Sequence, residues 1–426
     1  MNPSADSLLD TAAPVRWTAP DRWLRTRLLA QMHRLQHGAV LVEDDLGTQR
    51  CGSGEGGTIA LRVDHPAFYR AVAAYGSVGA GEAFIHGHWR CDDLVGLVRL
   101  LVRNRDLLDG MEGGLAALGS ALLRGWHALR PNTRDGARRN IAAHYDLGNE
   151  FFRLFLSPDL MYSSALFAGE DDTLEAASTR KLDRIAAKLR LSATDHVVEI
   201  GTGWGGFALH AARHYGCRVT TTTISQEQFV LASQRVAEAG LQDRVTVLQK
   251  DFRDLDGRYD KLVSIEMVEA IGAVNLPAYF RTIGRLLKPD GLALVQAITI
   301  EDHRYAQALR AVDYIKRYVF PGAFIPSVAA LLSAKTQSCE LALVQLEDFG
   351  SSYARTLQSW RERFLAQRDA VLAQGFDEAF IRLWTFYLAY CEGGFRERSI
   401  GVAQLLLAGP ECRDAEFLPG CERVGR

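Results

Sequence analysis

The chain has 426 residues, with 49 Lys and Arg against 51 Asp and Glu and a formal net charge of −2. That length accommodates two domains with cores of their own, and the balanced charge excludes a global pull toward nucleic acid. Seven cysteines are dispersed without a C-x-x-C pair, which argues against a zinc site or disulfide framework and fits reduced thiols in a cytosolic protein. The N-terminal MNPSADSLLDTAAP has neither a basic start nor an apolar run, so no export signal is expected. No apolar stretch approaches the roughly 18 residues of a membrane span, so a soluble protein is expected.

In chain order, residues 1–15 read as unstructured. A mixed unit over 16–130 follows, with helical signal at Asp21–Leu35, strands at Ala39–Glu43 and Ile59–Val63, and helices at His65–Tyr75 and Leu94–Leu108. Leu115, Leu118, Leu122, Trp126 and Leu129 form an apolar stripe at helical spacing. Around it, Arg124, Arg130, Arg134, Arg138 and Arg139 face one acid, Asp135. Two readings stay open: a helix that meets anionic lipid, or a solvated face over a leucine core. The Pro131–Gly136 run predicts a linker over 131–140. Beyond it, strands at His196–Ile200, Arg218–Thr223, Val245–Gln249, Lys261–Ile265 and Leu292–Ile298 alternate with helices starting near Leu174, Gly206, Gln226, Leu276 and Ser351. This alternation predicts an α/β, doubly wound, mainly parallel sheet with its ligand at the strands' carboxyl ends, over 141–408. Residues 409–426 read as a tail.

The most informative segment is Glu199-Ile200-Gly201-Thr202-Gly203-Trp204-Gly205-Gly206. Glycines at alternate positions after a buried strand let backbone approach a ligand that a Cβ would push away. The third glycine falls one place too early for a G-x-G-x-x-G dinucleotide loop; E-x-G-x-G-x-G is instead the first loop of S-adenosylmethionine methyltransferases. At the end of the next strand no acid appears before Glu227. Thr223 and Gln228 would have to contact the ribose, or Ser225 and Gln228 simply cap the next helix.

The chain resembles the cyclopropane-fatty-acyl-phospholipid synthases and the related mycolic-acid cyclopropane synthases and methyltransferases. The resemblance rests on ordered runs: His144–Phe152, Met161–Ala165, Glu199–Gly206, Thr223–Gln228, Asp251-Phe252-Arg253, Ser264–Gly272, Phe349–Tyr353 and Tyr390–Phe395. Gly81–Phe84 and Trp89–Leu94 are similar to the N-terminal domain of the bacterial phospholipid enzymes, which the mycolic enzymes lack. The fold implied is a class I S-adenosylmethionine methyltransferase, Rossmann-like, with a smaller mixed α/β N-terminal domain.

The resemblance implies a cofactor site of Tyr162, Ser163, Glu199, Gly201, Gly203, Trp204, Gly205, Thr223, Gln228, Asp251 and Phe252. An aromatic ring, from Tyr162 or Trp204, suits a sulfonium, and Phe252 would flank the adenine. The implied reaction is attack of an acyl-chain alkene on the activated methyl, followed by loss of a proton from the new methyl and ring closure, in a site that excludes water. In the family the base is a bound bicarbonate. Glu269 and Tyr353 match two of the residues that hold it, and Ile298 matches a main-chain contact. Two positions depart: the family's Cys is Ser164, which retains a hydroxyl donor, and its His is Gln296, which retains an amide but cannot carry a proton. A methyl- or methylene-branched chain is therefore the alternative product. Cys391 lies in a motif sometimes treated as catalytic, but methyl transfer to an alkene needs no thiolate, and its residue type fits a small buried group beside an aromatic helix. The resemblance further implies association with a phospholipid bilayer from the cytoplasmic side and a possible homodimer; no metal and no nucleic acid are expected. A small-amine N-methyltransferase and an inert lipid- or cofactor-binding module are the rival readings. Glu269 and Tyr353, which an amine substrate would not need, weigh against the first.

Overall fold

The computed structural model describes residues 16–106, except Glu55, and 147–413. The arginine-rich stripe, the linker, His144-Tyr145-Asp146 and both termini lie outside the described residues.

The N-terminal unit begins with α1 (Ala19–Met32), closed by a capping box between Thr18 and Asp21. A four-stranded sheet follows in the order β2-β1-β3-β4, comprising β1 (Gly38–Asp44), β2 (Gly47–Ser53), β3 (Thr58–Val63) and β4 (Trp89–Cys91). β2 and β4 were not predicted, because β2 (GTQRCGS) carries no apolar alternation and β4 has three residues. Helix α2 (Ala67–Ile85) runs ten residues beyond the predicted Tyr75 and kinks at Gly76, whose φ is 56°. Helix α3 (Leu94–Arg103) stops short of the predicted Leu108.

The second unit holds a seven-stranded sheet in the order β10-β11-β9-β8-β5-β6-β7. Strands β5 (His196–Ile200), β6 (Arg218–Thr223), β7 (Val245–Gln249), β8 (Tyr259–Ile265) and β9 (Leu287–Ile300) pair in parallel. Val197, Val198 and Ile200 are fully buried, as expected of a parallel strand covered on both faces. The parallel core was predicted, with β8 beginning two residues earlier than expected and β9 running over 14 residues in place of the expected Leu292–Ile298. The antiparallel edge of β10 (Ala342–Asp348) and β11 (Ile400–Ala408) was not.

Short helix α4 (Asn149–Arg153) and helix α5 (Leu174–Leu189) precede β5, and α6 (Gly206–His210) leaves the glycine loop. Helix α7 (Gln226–Glu238) follows β6, and α8 (Leu276–Leu286) follows β8. After β9 come α9 (Asp302–Arg310) and α10 (Val328–Thr336), then α11 (Gly350–Ala366), α12 (Arg368–Ala373) and α13 (Glu378–Arg396).

The two units share one aromatic core. Gly81 of α2 touches Tyr314 so closely that a Cβ there would lie 2.3 Å from the ring. Phe84 packs on Phe386 of α13 with ring centroids 5.5 Å apart. Arg99 and Arg103 of α3 both reach Glu397, at 2.7 and 2.8 Å. The Gly81–Phe84 motif is thus a docking surface for the second unit, where small size and an aromatic matter more than chemistry.

Candidate active site

The first half of the site is backbone. Gly201, Gly203 and Gly205 have φ of 97°, 53° and 86°, values that side chains other than glycine's adopt only with strain. A Cβ on Gly201 would lie 2.8 Å from Met267 Cγ, whereas one on Gly203 would meet nothing within 4 Å. The space over Gly203 is open to a ligand. The N–H groups of Gly201 and Thr202 donate to the Thr222 carbonyl at 3.1 and 2.9 Å, tying the loop to β6. Glu199 is buried below it and accepts from the Thr221 hydroxyl at 2.6 Å; burial pushes its carboxyl up to about 8.

A cavity of about 420 Å³ opens over this loop. Of the predicted cofactor residues, Tyr162, Ser163, Glu199, Gly201, Gly203, Trp204, Thr223, Gln228, Asp251 and Phe252 all line it. Gly205 sits instead beneath the loop against Ala232. The capping reading of Gln228 is what the fold shows. Its N–H is capped by Ser225 Oγ at 3.3 Å, while its side-chain oxygen accepts from Thr223 at 2.7 Å, which directs the amide NH₂ outward. Glu227 is exposed. Trp204 is 2 % exposed; its Nε1 donates to Asn149 Oδ1 at 2.7 Å and its ring lies 4.9 Å from Phe152. Its contacts are those of a packing residue, which leaves Tyr162 the better aromatic face for a cation. The Tyr162 hydroxyl pairs with Tyr387 at 2.9 Å. These residues fit S-adenosylmethionine: an open glycine cradle, neutral hydrogen-bonding groups and aromatic walls.

The second half is built from side chains of distant elements. Ser164 lies before α5, Glu266 and Glu269 on the loop after β8, Gln296 and Ile298 on β9, and Tyr353 in the first turn of α11. Three donors converge on one carboxylate, that of Glu266. Ser164 N donates to Oε1 at 2.9 Å, Gln296 Nε2 to Oε1 at 2.7 Å and the Tyr353 hydroxyl to Oε2 at 2.7 Å. The Ser164 hydroxyl, assigned above as a donor to the site, instead donates to the Ala165 carbonyl at 2.9 Å. Ser164 and Gln296 are fully buried behind Glu266. The Ile298 N–H donates to Glu269 Oε1 at 2.5 Å, and Glu269 Oε2 is buried with no partner among the described residues.

The orientation of Gln296 is fixed from behind. Its oxygen accepts from Gln404 Nε2 at 3.0 Å, and the Gln404 oxygen accepts from Lys188 Nζ at 2.8 Å. A lysine can only donate, so both amides are turned and Gln296 must present its NH₂ to Glu266. Lys181, also fully buried, donates to Ser163 Oγ at 2.9 Å, and burial pushes its pKa down to about 8. Burial raises Glu266, while its three donors and Lys181 oppose that rise. Burial and the neighbouring Glu266 push Glu269 up to about 8. The hydrogen bonds divide the roles: Glu266, with three donors, is the carboxyl suited to carry the pair's charge, and Glu269, with one, is the carboxyl suited to hold a proton.

Glu266 was within a quoted run but received no role in the sequence analysis. The available signal was the pair of departures at Ser164 and Gln296, which the fold places on the same carboxylate. Cys391 lines the cavity, but burial raises its thiol far above neutrality, which keeps it protonated.

The strand order, the glycine loop and the cavity above it define an S-adenosylmethionine-dependent methyltransferase of class I. Residues 132–405 match the mycolic acid cyclopropane synthetase family, and the chain belongs to that family. It is 38 % identical over 364 residues to the tuberculostearic acid methyltransferase of Mycobacterium tuberculosis, covering 81 % of this chain and 82 % of that one. It is 35 % identical over 350 residues to the cyclopropane-fatty-acyl-phospholipid synthase of Escherichia coli K12, covering 82 % and 87 %. Among solved structures, the cyclopropane synthase MmaA2 of M. tuberculosis matches 64 % of this chain and 98 % of its own, with TM-score 0.60 and 28 % identity. The mycolic acid cyclopropane synthase CmaA1, complexed with SAH and CTAB, gives 0.59 and 29 % over the same shares.

Proposed function

We propose that this enzyme transfers a one-carbon unit from S-adenosylmethionine to the double bond of an unsaturated acyl chain in membrane phospholipid, and that the chain leaves carrying a methylene branch. The observation that carries the first part is a single cavity joining the glycine cradle to the two carboxyls, walled on one side by Val98, Val102 and Arg105 of the N-terminal unit's end. An acyl chain entering past those residues would share the cavity with Tyr162, Glu266 and Glu269. The E. coli relative, matched over most of its length, supports a phospholipid substrate. The tuberculostearic acid relative, together with the absence of an imidazole at Gln296, supports a branched product over a ring.

The cofactor supplies an electrophilic methyl on a sulfonium. Tyr162 and its partner Tyr387 present aromatic surface to that charge and to the cation left on the chain. Phe252 would flank the adenine, Gln228 and Thr223 the ribose. The buried apolar walls exclude the water that would quench the cation. In either outcome the new methyl loses one proton. Its C–H electron pair closes the ring, or, after a hydride shift along the chain, forms an exocyclic double bond. A saturated methyl branch would require a further two-electron reduction.

The second reading, ring closure, is favoured by the 35 % identity to the cyclopropane-fatty-acyl-phospholipid synthase over 82 % of this chain. Expression in a host lacking its own cyclopropane synthase, followed by mass spectrometry of the fatty acids, separates the two. Both products are one CH₂ heavier, but only the methylene branch takes up hydrogen on catalytic hydrogenation under conditions that leave rings intact. A ring product would overturn the branched reading. No modified chain at all would overturn the function. Bilayer association through the segment outside the described residues predicts that charge reversal at Arg124, Arg130 and Arg138 weakens binding to anionic vesicles; unchanged sedimentation would exclude it. Operation at the cytoplasmic face of the membrane, and dimerisation, are proposed from the resemblance alone.

A further inference from the structure

We infer that the Glu266 carboxylate is this enzyme's own proton acceptor and stands where the family's resemblance implies a bound bicarbonate; the inference rests on the functional reading above. The argument begins with a count of donors. The groups matched to bicarbonate binding are those at positions 164, 269, 296, 298 and 353. At three of those positions a donor turns to Glu266 at 2.7–2.9 Å: Gln296 Nε2, the Tyr353 hydroxyl and, in place of the matched side chain, the Ser164 backbone N–H. The Ile298 N–H is taken by Glu269 at 2.5 Å. A free bicarbonate would find these donors already engaged, and would bring a second negative charge beside a buried carboxylate. The residues present do not fit that anion; they fit a carboxylate supplied by the chain itself, with the same planar pair of oxygens.

The two departures from the family pattern acquire a reason. A histidine at 296 could share or exchange a proton with an anion that comes and goes. Gln296 only donates, and Lys188 and Gln404 hold it in the donating orientation. A fixed carboxylate needs fixed donors, not a proton carrier. The backbone carries a matching cost: Glu266 has φ 49°, a left-handed conformation that strains any residue but glycine. Such strain at a glutamate persists when the surroundings hold the side chain in place. Glu266 also lines the cavity, together with Tyr353 and Glu269.

In the proton step, one C–H bond of the transferred methyl breaks. Its electron pair stays on the chain, as the ring's last bond or the exocyclic double bond, and the proton moves to a Glu266 oxygen. Glu269, already holding a proton, does not compete for it. Tyr353, Gln296 and Ser164 are positioning residues that keep the carboxylate aimed. After product leaves, the proton returns to solvent through the opened cavity, so no oxidant or co-reactant is consumed.

The test uses the full chain with vesicles of phosphatidylglycerol and phosphatidylethanolamine carrying cis-monounsaturated chains, scoring S-adenosylhomocysteine release and lipid product. Buffers are stripped of carbon dioxide or supplemented with bicarbonate. Wild-type turnover is expected to be the same in both. Glu266→Gly is expected to lose at least about 100-fold in turnover, to bind S-adenosylhomocysteine as the wild type does, and to gain activity on addition of bicarbonate, which can enter the vacated position. Glycine relieves the left-handed backbone but leaves three buried donors without their acceptor, so bicarbonate that refills the position should raise the variant's thermal midpoint along with its turnover, which a purely structural role for Glu266 would not predict. Glu266→Gln, of equal size, should be inactive and unrescued by bicarbonate.

The inference is overturned if wild-type turnover collapses without bicarbonate and returns with it, or if Glu266→Gln keeps near wild-type turnover. Should Glu266→Gly not fold, the wild-type bicarbonate response and Glu266→Gln decide alone. A wild type that folds and binds S-adenosylhomocysteine but modifies no lipid overturns the functional reading as well, a result distinct from bicarbonate dependence.

Discussion

The glycine loop and the carboxylate pair lie in one cavity, yet they are built in different ways. The loop is a local object: Glu199 to Gly206 leave one strand and enter one helix, and its shape comes from backbone freedom at three glycines. The carboxylate pair is assembled from β8, β9, α11 and the segment before α5, with partners up to 102 residues apart in the case of Ser164 and Glu266. In the loop the Thr202 side chain turns away to Thr221 at 2.6 Å, so the cradle itself is main chain. The pair depends on side chains instead, with three donors ending on the one Glu266 carboxylate. Binding of the methyl donor is thus a backbone property, while the fate of the alkylated chain is a side-chain property.

The largest expected effect breaks the acceptor half alone. Tyr353→Phe removes a donor from the buried Glu266 and should lower turnover by about 10²-fold, with S-adenosylhomocysteine affinity, read by calorimetry, unchanged. Next, Gly201→Ala should break the cradle alone: the new Cβ meets Met267 and φ is 97°. Cofactor KM should rise at least about tenfold, and thermal stability should fall by about 1 kcal/mol or more. Third, Gln404→Leu strands the Gln296 oxygen and leaves Lys188 with its ion pair to Glu347 at 2.6 Å. The cost is about 1–3 kcal/mol in urea unfolding, with a modest loss of kcat as Gln296 gains freedom to rotate.

A fourth prediction concerns pH. Glu269 is raised in the folded state to about 8 from an ordinary value of 4.5. Between those values the folded chain retains a proton that the unfolded chain has released, so stability is fully present at acid pH and is lost as pH rises toward 8. Glu269→Gln should flatten that slope of the unfolding free energy by up to one proton. An unchanged slope would show that Glu269 does not carry the proton. The smallest effect is expected for Cys391→Ala, which should leave turnover within a few-fold of wild type; a complete loss would assign the thiol a role that its burial argues against.

Much of this was legible in the sequence. β5 carries a buried apolar run, and β6 and β7 are rich in β-branched Val and Thr, so all three read from their own residues with the ends the fold shows. Ser225 capping α7 and the helix start at Gly206 are equally local. The antiparallel edge was not legible: β11 (IGVAQLLLA) has a largely apolar run, but only its pairing with β9 and β10 makes it a strand, and the preceding aromatic helix α13 gives no sign of it. Nor did periodicity show that α2 continues past Gly76, since a helix that kinks at a glycine interrupts the pattern that identifies it.

By itself, then, the sequence determined the fold class, the methyl-donor loop and the family, because each rests on residues adjacent in the chain or on motifs in a fixed order. It also supplied Glu269, Tyr353, Ser164 and Gln296 as members of one site. Only the tertiary structure decided what they hold. Ser164 turns its hydroxyl away and offers its N–H, Gln296 is oriented by Lys188 through Gln404, and the acceptor of all these donors is Glu266. Hydrogen-bond direction depends on where a third and fourth partner stand in space, and spacing along the chain carries no record of that.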